Sequence, residues 1–376
     1  MTKMRREKNS KRIQYFMVIL LAGLGVMLCH AAAMAAIPQI AAGNGHTVAL
    51  KEDGTVWAWG DNSDGQLGDG TGQSRYVPMQ VAGLTNVIAV AAGGWHTVAL
   101  KADGTVWTWG SNRWGQLGDG GAVDTRYVPE QIAGLTNVMA VAAGGDHTVA
   151  LKADGTVWAW GSNGWGQMGN GSVGDKHLPM QITGLANIAA VAAGSGHTVV
   201  LKEDGTVWAC GNNDWGQLGG GDTTLSRYTP VQASGVDNVK AVAAGGLYTV
   251  GLKVDGTVWS WGCFYYEDWS AIASGNLPMP ASGLANVAAV SAGWAHNVAL
   301  KMDGTVWAWG DNNYGQLGDG TPYSYIRYYT PGQVSGLTNV TAVEAGTWHT
   351  VALKADGRCG PGGIMTMGSW VTALST

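Results

Sequence analysis

The chain has 376 residues, of which 60 are Gly, 19 are Trp and only 2 are Phe. Each interior Gly costs a helix roughly 1 kcal/mol relative to Ala, so this composition excludes a mostly helical protein. The hydrophobic content of 46% excludes a disordered chain, and the glycines keep no three-residue period, which excludes collagen. An all-β chain remains, and the excess of Trp predicts one Trp-bearing motif copied many times.

Residues 1–35 have the pattern of a signal peptide. Six basic residues in Lys3–Arg12 precede an apolar stretch, Tyr15–Leu28, which is shorter than the ~20 residues that a spanning helix needs. Ala33–Ala35 offers an A-x-A cleavage site, so Ala36 is the predicted first mature residue. We expect export from a bacterium to the periplasm, the cell surface or the medium, with no membrane span after cleavage. An uncleaved anchor is the alternative.

The charge of the predicted mature chain argues against a nucleic-acid partner. The whole chain has a formal net charge of −5, and residues 1–35 carry a net +5, which leaves −10 for residues 36–376. Proteins that bind nucleic acid neutralise phosphates with clustered Lys and Arg. We therefore expect no nucleic-acid partner.

One unit of about 50 residues recurs seven times along the chain. The string Asp-Gly-Thr-Val-Trp begins at Asp53, Asp103, Asp154, Asp204, Asp255 and Asp303, and a seventh Asp-Gly stands at Asp356. In the second copy, His96–Lys101 and Thr105–Trp109 flank an Asp-Gly hairpin turn. Four short strands and no helical period predict one propeller blade per unit. A kelch-like blade is the alternative, although its glycine signature differs.

Four elements of the unit carry a family resemblance. A-A-G-x-x-H-T, D-G-T-V-W-x-W-G, N-x-x-G-Q-L-G and G-L-x-N-V resemble the regulator of chromosome condensation repeat over Ile40–Gly357. That family forms seven-bladed β-propellers. The resemblance implies an all-β fold, a propeller of about seven four-stranded blades in residues 36–357, with six full repeats and half of a seventh.

The repeated polar and aromatic residues are interpreted as structural. Six repeats carry a His at one position and the other carries Tyr248, which favours a repeated hydrogen bond over a metal site because no carboxylate recurs beside it. The histidines are His46, His96, His147, His197, His296 and His349. Paired Trp residues at i and i+2 share a strand face and are predicted to form the core between blades. They are Trp57 with Trp59, Trp107 with Trp109, Trp158 with Trp160, Trp259 with Trp261 and Trp307 with Trp309, and Trp208 stands beside Cys210.

We expect no catalytic site, metal or cofactor, and therefore no enzyme. Gly-Gln-Leu-Gly lacks the Lys-Ser/Thr of a phosphate loop, and the Asp-Gly pairs are turns. Cys210, Cys263 and Cys359 are too few and too scattered for a disulfide framework. Cys210 takes the place of the second Trp in its repeat, so we interpret it as a core residue.

The repeat pattern stops after Gly357. Residues 358–376, RCGPGGIMTMGSWVTALST, can be back-translated so that a shift of one base gives TVWAWGDNDYGQLGDGTKY, the missing half of the seventh repeat. The hypothesis is a single-nucleotide deletion near the Gly357 codon. An out-of-frame tail would leave blade seven incomplete, with unpaired strand edges, and less stable than its in-frame parent. A monomer is expected if the ring closes.

Residues that differ between repeats in the loops are the candidate binding residues, because a rigid ring presents its variable loops. In the second repeat, Trp95 and Arg113-Trp114 flank the strand ends opposite the turn, so one face should hold them all. The equivalents elsewhere are Asp146, Trp165, Asp214, Trp215, Trp294, Tyr314 and Trp348. Aromatics among charges are typical of protein-binding hot spots. Tolerated loop variation is the alternative.

The fifth repeat departs most from the pattern. Tyr265, Tyr266 and Trp269, with two acids, replace the Gly-Gln-Leu-Gly element. A dedicated contact loop and the decay of a redundant repeat both account for this sequence.

Three classes of function remain open. The first is an exported, non-enzymatic propeller that binds another protein, and secreted family members that inhibit β-lactamases make an inhibitor-like role one form of it. The second, implied by the founding member of the family, is guanine-nucleotide exchange on a small GTPase. The third is a structural, cell-surface or carbohydrate-binding module of a longer parent protein.

Overall fold

Seven β-sheets surround a central axis, and each is formed from one repeat. The computed structural model describes residues 36–121, 123–222, 226–263, 275–320, 328–355 and 371–372. In these residues, six sheets have four strands and the seventh has three. The predicted all-β propeller is confirmed. Among the described residues, no helix is long and apolar enough to cross a membrane.

We number the blades in chain order and give their strands from the axis outward. Blade 1 consists of β1 (Gln39–Ala42), β2 (His46–Leu50), β3 (Val56–Gly60) and β4 (Arg75–Gln80). Blade 2 consists of β5 (Val87–Ala92), β6 (His96–Lys101), β7 (Val106–Ser111) and β8 (Thr125–Gln131). Blade 3 consists of β9 (Val138–Ala143), β10 (His147–Lys152), β11 (Val157–Gly161) and β12 (Lys176–Ile182).

The remaining blades follow the same order. Blade 4 consists of β13 (Ile188–Ala193), β14 (His197–Lys202), β15 (Val207–Asn212) and β16 (Ser226–Gln232). Blade 5 consists of β17 (Val239–Ala244), β18 (Tyr248–Lys253), β19 (Val258–Gly262) and β20 (Met279–Pro280). Blade 6 consists of β21 (Val287–Ala292), β22 (His296–Lys301), β23 (Val306–Gly310) and β24 (Tyr328–Gln333). Blade 7 consists of β25 (Val340–Ala345), β26 (Thr350–Lys354) and β27 (Val371–Thr372).

Each of the six Asp-Gly pairs within the described residues forms the hairpin between the second and third strands. In blade 2, the backbone N–H and the hydroxyl of Thr105 both donate to Asp103 Oδ1, at 3.0 and 2.6 Å. Gly104 has a φ of +78°, and a Cβ there would lie 3.1 Å from the backbone of Asn137. Glycine is needed at this position because the backbone is left-handed and the link to the next blade passes close by. The turn interpretation is confirmed.

The tryptophans form the core between blades, as predicted. Trp158 and Trp160 of blade 3 pack on a cluster that includes Val98 and Val106 of blade 2. Trp160 is fully buried, whereas Trp158 is half-buried and has Lys152 Nζ 5.4 Å from its ring centroid. The Trp pairs of blades 2, 5 and 6 pack on the preceding blade in the same way.

Cys210 occupies a Trp position in this core, as predicted. It is buried, and its Sγ lies 3.5 Å from the carbonyl oxygen of Gln167. In the preceding repeat, Trp160 Nε1 makes the equivalent contact with the carbonyl oxygen of Gln116. Burial raises the pKa of the Cys210 thiol to about 12. The thiol therefore stays protonated and serves as a small core side chain.

A buried hydrogen-bond relay joins successive blades. His96 Nε2 lies 2.9 Å from Thr148 Oγ1 in the next blade, and Thr148 Oγ1 donates to the carbonyl oxygen of Gln116, back in the blade of His96, at 2.8 Å. A hydroxyl has one hydrogen, so His96 must donate to it through Nε2–H. The repeated histidine is therefore a structural donor, as predicted. The last such contact, His349 Nε2 to Thr47 Oγ1 at 3.0 Å, joins blade 7 to blade 1.

The glycine of each A-A-G element makes room for this histidine. A Cβ on Gly93 would lie 2.3 Å from His96 Cε1 and 2.7 Å from the carbonyl oxygen of Gly144 in the next blade. Both distances are far below a normal carbon contact. Any larger residue at Gly93 would displace His96 and break its hydrogen bond to Thr148.

The junction between blades 5 and 6 uses a different pair. Tyr248 replaces the histidine, and its hydroxyl donates to the carbonyl oxygen of His296 at 2.6 Å. Asn297 replaces the threonine of the next blade and is fully buried. Both changes therefore fall at the junction of blades 5 and 6.

Blade 7 ends differently from the other blades. Its third strand, β27, has two residues and runs parallel to β26, with Val351 opposite Val371, whereas the third strands of the other blades are antiparallel. The core cluster between blades 6 and 7 contains Val298, Leu300 and other aliphatic residues, and among the described residues it contains no Trp. The third strand and the Trp pair are the features that a frame shift after Gly357 would remove.

Replacing residues 358–376 by TVWAWGDNDYGQLGDGTKY should stabilise the protein, because a Trp pair would then cover the blade 6 core. A buried Trp contributes about 3–5 kcal/mol relative to Ala, which corresponds to a rise in Tm of ~6 °C or more. Thermal unfolding followed by circular dichroism measures this. The matched control carries the same segment with both Trp residues changed to Ala, and equal Tm values for all three proteins would contradict the expectation.

Acid should destabilise the ring through its buried histidines. Burial lowers the pKa of His46, His96, His197 and His296 to about 3, whereas the unfolded chain binds the proton near pH 6.5. Stability is therefore complete above pH 6.5 and falls as the pH decreases toward 3, by up to about 1.4 kcal/mol per pH unit for each histidine. Denaturant unfolding at pH 7, 6 and 5 measures the slope.

The native junction of blades 5 and 6 supplies the control for this experiment. The double variant H96Y/T148N reproduces that junction with a side chain that does not titrate between pH 5 and 7. Its stability should fall less steeply with acid than that of the unchanged chain. The number of protons taken up on unfolding should be smaller by up to one. A slope identical to that of the unchanged chain would show that His96 is not the titrating group.

Candidate binding site on the loop face

Two sets of loops lie at the same end of the propeller. One set joins the first and second strands of each blade, and the other joins the third and fourth. Trp165, in the second kind of loop, lies against the first kind of loop in the next blade, since a Cβ on Gly196 would be 3.2 Å from Trp165 Cδ1. The Asp-Gly hairpins lie at the opposite end. We call the end that holds both sets of loops the loop face.

Four of the predicted site residues surround the mouth of the central channel. Trp95, Asp146, Trp294 and Trp348 line a cavity of about 390 Å³ there, together with the glycines of the A-A-G elements. Trp294 lies one position earlier in its loop than the sequence comparison assumed, because Ala295 separates it from His296. The four side chains nevertheless converge on one opening.

Three aromatic side chains form a continuous cluster on blades 6 and 7. The ring centroids of Trp294 and Trp348 are 6.4 Å apart, and those of Tyr314 and Trp348 are 5.0 Å apart with an interplanar angle of 64°. Both distances are typical of favourable aromatic pairs. Tyr314 and Trp348 are 37% and 36% exposed. We call these three residues the aromatic cluster.

A charged group lies on the same face at blades 1 to 3. Arg113 Nη2 is 3.3 Å from Asp64 Oδ1 in the preceding blade, and the Arg113 side chain is largely exposed. Gln116 Nε2 donates to Asp146 Oδ1 at 3.4 Å. Burial raises the pKa of Asp146 above its usual value, while the positive charge of Arg113 acts in the opposite direction.

The remaining predicted residues lie in the outer loops of the face. Trp114 and Trp165 are each 48% exposed, Asp214 is exposed and Trp215 is half-buried. The Gln of the Gly-Gln-Leu-Gly element accepts from the backbone N–H two residues earlier, as from Trp114 at 2.9 Å and Trp165 at 3.0 Å. This bond holds the variable aromatic on a fixed backbone.

Part of the predicted site cannot be placed. Tyr265, Tyr266 and Trp269 lie outside the described residues, so the contact-loop interpretation of repeat five stays a prediction. The sequence reasoning also missed Ser291 and Glu344, which line the channel below its mouth. The available signal was the change of Val-Ala-Ala-Gly to Val-Ser-Ala-Gly and Val-Glu-Ala-Gly in successive repeats.

Family models match most of the chain. The RCC1-like domain model matches residues 27–268, and two models of the regulator of chromosome condensation (RCC1) repeat match residues 287–316 and 303–353. Among curated proteins, the chain is similar to human E3 ubiquitin-protein ligase HERC2, with 31% identity over 140 residues, 36% of this chain and 3% of that protein. It is also similar to the ultraviolet-B receptor UVR8 of Arabidopsis thaliana, with 33% identity over 138 residues, 36% of this chain and 31% of that protein.

Solved structures agree with this assignment over a longer span. Human WBSCR16 superposes with a TM-score of 0.73 at 25% identity, over 83% of this chain and 85% of that chain. Prp20p of Saccharomyces cerevisiae, described with its binding to Gsp1p and histones, superposes with a TM-score of 0.72 at 25% identity, over 82% of this chain and 80% of that chain. The curated relatives are covered over less than a third of their length. Because the RCC1-like domain model matches well over half of the residues of this chain, the chain belongs to the RCC1-like family of β-propellers.

Proposed function

We propose that this chain is an exported, non-enzymatic propeller that binds a protein partner on its loop face. The observation that carries the proposal is the aromatic cluster of Trp294, Tyr314 and Trp348, which is partly exposed and borders the channel mouth. Large aromatic side chains bury much apolar surface at little cost in side-chain entropy, and Trp and Tyr are enriched in binding hot spots.

The backbone of this face suits a binding surface. Tyr314 sits on a loop held by the bond from its N–H to Gln316 Oε1, at 2.8 Å, and Leu317 N–H donates to Asn312 Oδ1 at 3.0 Å. A loop that is already ordered loses little conformational entropy on binding, so more of the contact energy appears as affinity. Interfaces of this kind change little between the free and bound states.

The charge of the face points to a partner with basic groups. Asp146 and Asp214 lie on it, and the predicted mature chain carries a net charge of −10. Such a surface accelerates association with a positively charged protein and weakens in salt. Prp20p, which shares the fold, is described as binding proteins, Gsp1p and histones, and this supports protein binding as the general role.

Changing the aromatic cluster should abolish partner capture. W294A/W348A removes two hot-spot candidates, and each is expected to contribute ~2 kcal/mol or more, so Kd should rise at least ~30-fold per residue. Affinity capture from the culture supernatant of the source organism, followed by surface plasmon resonance on the recovered protein, measures the change. Thermal unfolding checks that the variant remains folded.

The matched control is M302A in the same blade. Met302 is 69% exposed but lies in the hairpin at the opposite end, beside Asp303, so its removal should leave capture unchanged. Loss of capture in M302A, or its retention in W294A/W348A, would contradict the choice of face.

The alternative functions give different results with the same protein. An exchange factor would accelerate nucleotide release from a small GTPase, and a carbohydrate-binding module would be retained by polysaccharide in a Trp-dependent way. The export part of the proposal has its own test, since N-terminal sequencing of the protein outside the cytoplasm should begin at Ala36. Recovery of the uncleaved chain in the cytoplasm alone would refute it.

A further inference from the structure

The central channel carries an isolated pair of polar groups. Its lower part is a cavity of about 730 Å³ lined by the innermost strands of all seven blades. Seven equivalent residues face the channel at one level, each one position before an alanine that lines the mouth. They are Ala41, Ala91, Ala142, Ala192, Ala243, Ser291 and Glu344. Five are therefore alanine, and the two polar residues are neighbours on blades 6 and 7.

The serine holds the carboxylate in a fixed position. Ser291 Oγ donates to Glu344 Oε2 at 2.9 Å, and the backbone N–H of Ala345 donates to Ser291 Oγ at 2.9 Å. The serine hydrogen is thus committed to the carboxylate. Ser291 Oγ keeps a second lone pair, and within the described residues Glu344 Oε1 has no hydrogen-bond donor.

Glu344 is half-buried in the channel wall, and few charged groups lie near it. Burial raises the pKa of Glu344 to about 7. The other charged side chains that line this cavity, among the described residues, are Glu52 and Lys354. Lys354 pairs with Val340, four positions along β25 from Glu344, which is roughly 13 Å along a strand. The neighbours on β26 and β1, Val351 and Ala41, are apolar.

We propose that this level of the channel binds an alkylammonium group. An ammonium has three N–H donors, and the site offers three acceptors, the two oxygens of Glu344 and Ser291 Oγ. The surrounding alanines would contact the methylene chain. A guanidinium has five N–H donors, two more than the acceptors of this site, and the alanine side chains cannot accept from them. Ca²⁺ takes six to eight oxygen ligands, more than this ring of alanines supplies.

The ammonium group has two sources that share this chemistry. One is a free alkylamine that enters the channel, and the other is the side chain of a lysine that a partner inserts from the loop face. The site itself does not depend on the proposed partner surface. Both sources can be tested with the full chain.

Isothermal titration calorimetry with cadaverine at pH 8 tests the free amine. We expect saturable binding of one cadaverine per chain that weakens at pH 6, where Glu344 is largely protonated. E344Q should weaken it at least tenfold, and S291A by a smaller factor. E130Q is the matched control, because it removes one negative charge from the exposed outer strand of blade 2 and should leave binding unchanged.

Two further probes separate the sources and the chemistry. A peptide with one lysine between glycines tests the partner source, and its norleucine analogue lacks only the ammonium. If cadaverine binds and E344Q loses this binding, the site takes a free alkylamine. If only the lysine peptide binds and E344Q loses this binding, the site takes a lysine side chain of a partner. The proposal is overturned if neither probe saturates, if 1-pentanol and the norleucine peptide bind equally well, or if folded E344Q binds like the unchanged chain.

Discussion

The packing of one blade on the next depends on a threonine hydroxyl that bonds in two directions. Thr148 accepts from the histidine of the preceding blade and donates to a carbonyl oxygen of that same blade. Each bond contributes about 1 kcal/mol, and a buried partner left without it costs about 1–3 kcal/mol. Because the relay works only at one separation and one rotation of the blades, its repetition sets the geometry of the whole ring.

A fixed ring explains why variation is confined to a few positions. The relay residues, the glycine beneath the histidine and the Gln that anchors the outer loop leave the residue beside each of them free to change. Trp95, Asp146 and Trp348 occupy such a position directly before the histidine. The same strand register recurs in these blades, so differences in side chain become differences in surface chemistry around one opening.

Most of the fold could be predicted because the sequence contains its own comparison. Comparison of the seven copies distinguishes the residues that every blade requires from those that vary. The His96 bond, the Trp160 core and the Asp103 turn were all predicted in this way. The joint change to Tyr248 and Asn297 is also visible in the repeats once the ring is known, because the two residues meet at one junction.

What the sequence did not show directly is contact between neighbouring blades. Ser291 and Glu344 are 53 positions apart, and each resembles a small deviation within its own repeat until the packing of blade 7 on blade 6 brings them together. The register of Trp294, by contrast, was available from the sequence, because two residues separate the Gly from the His, or from Tyr248, in every repeat and Trp294 is the first of the two between Gly293 and His296. The parallel direction of β27 depends on the packing of a segment that follows no repeat.

The junction of blades 7 and 1 is closed by non-covalent contacts between the first and the last repeat. Its described links are the bond from His349 to Thr47, one from Thr347 N–H to the carbonyl oxygen of Gly43 at 3.0 Å, and a core cluster in which Ile40 and Trp59 of blade 1 pack with Val351 of blade 7. The Gln carbonyl that accepts from the relay threonine at five other junctions has no counterpart there among the described residues. Separation of this junction would move Trp348 away from Trp95, while the chain itself still connects the other six pairs of neighbouring blades.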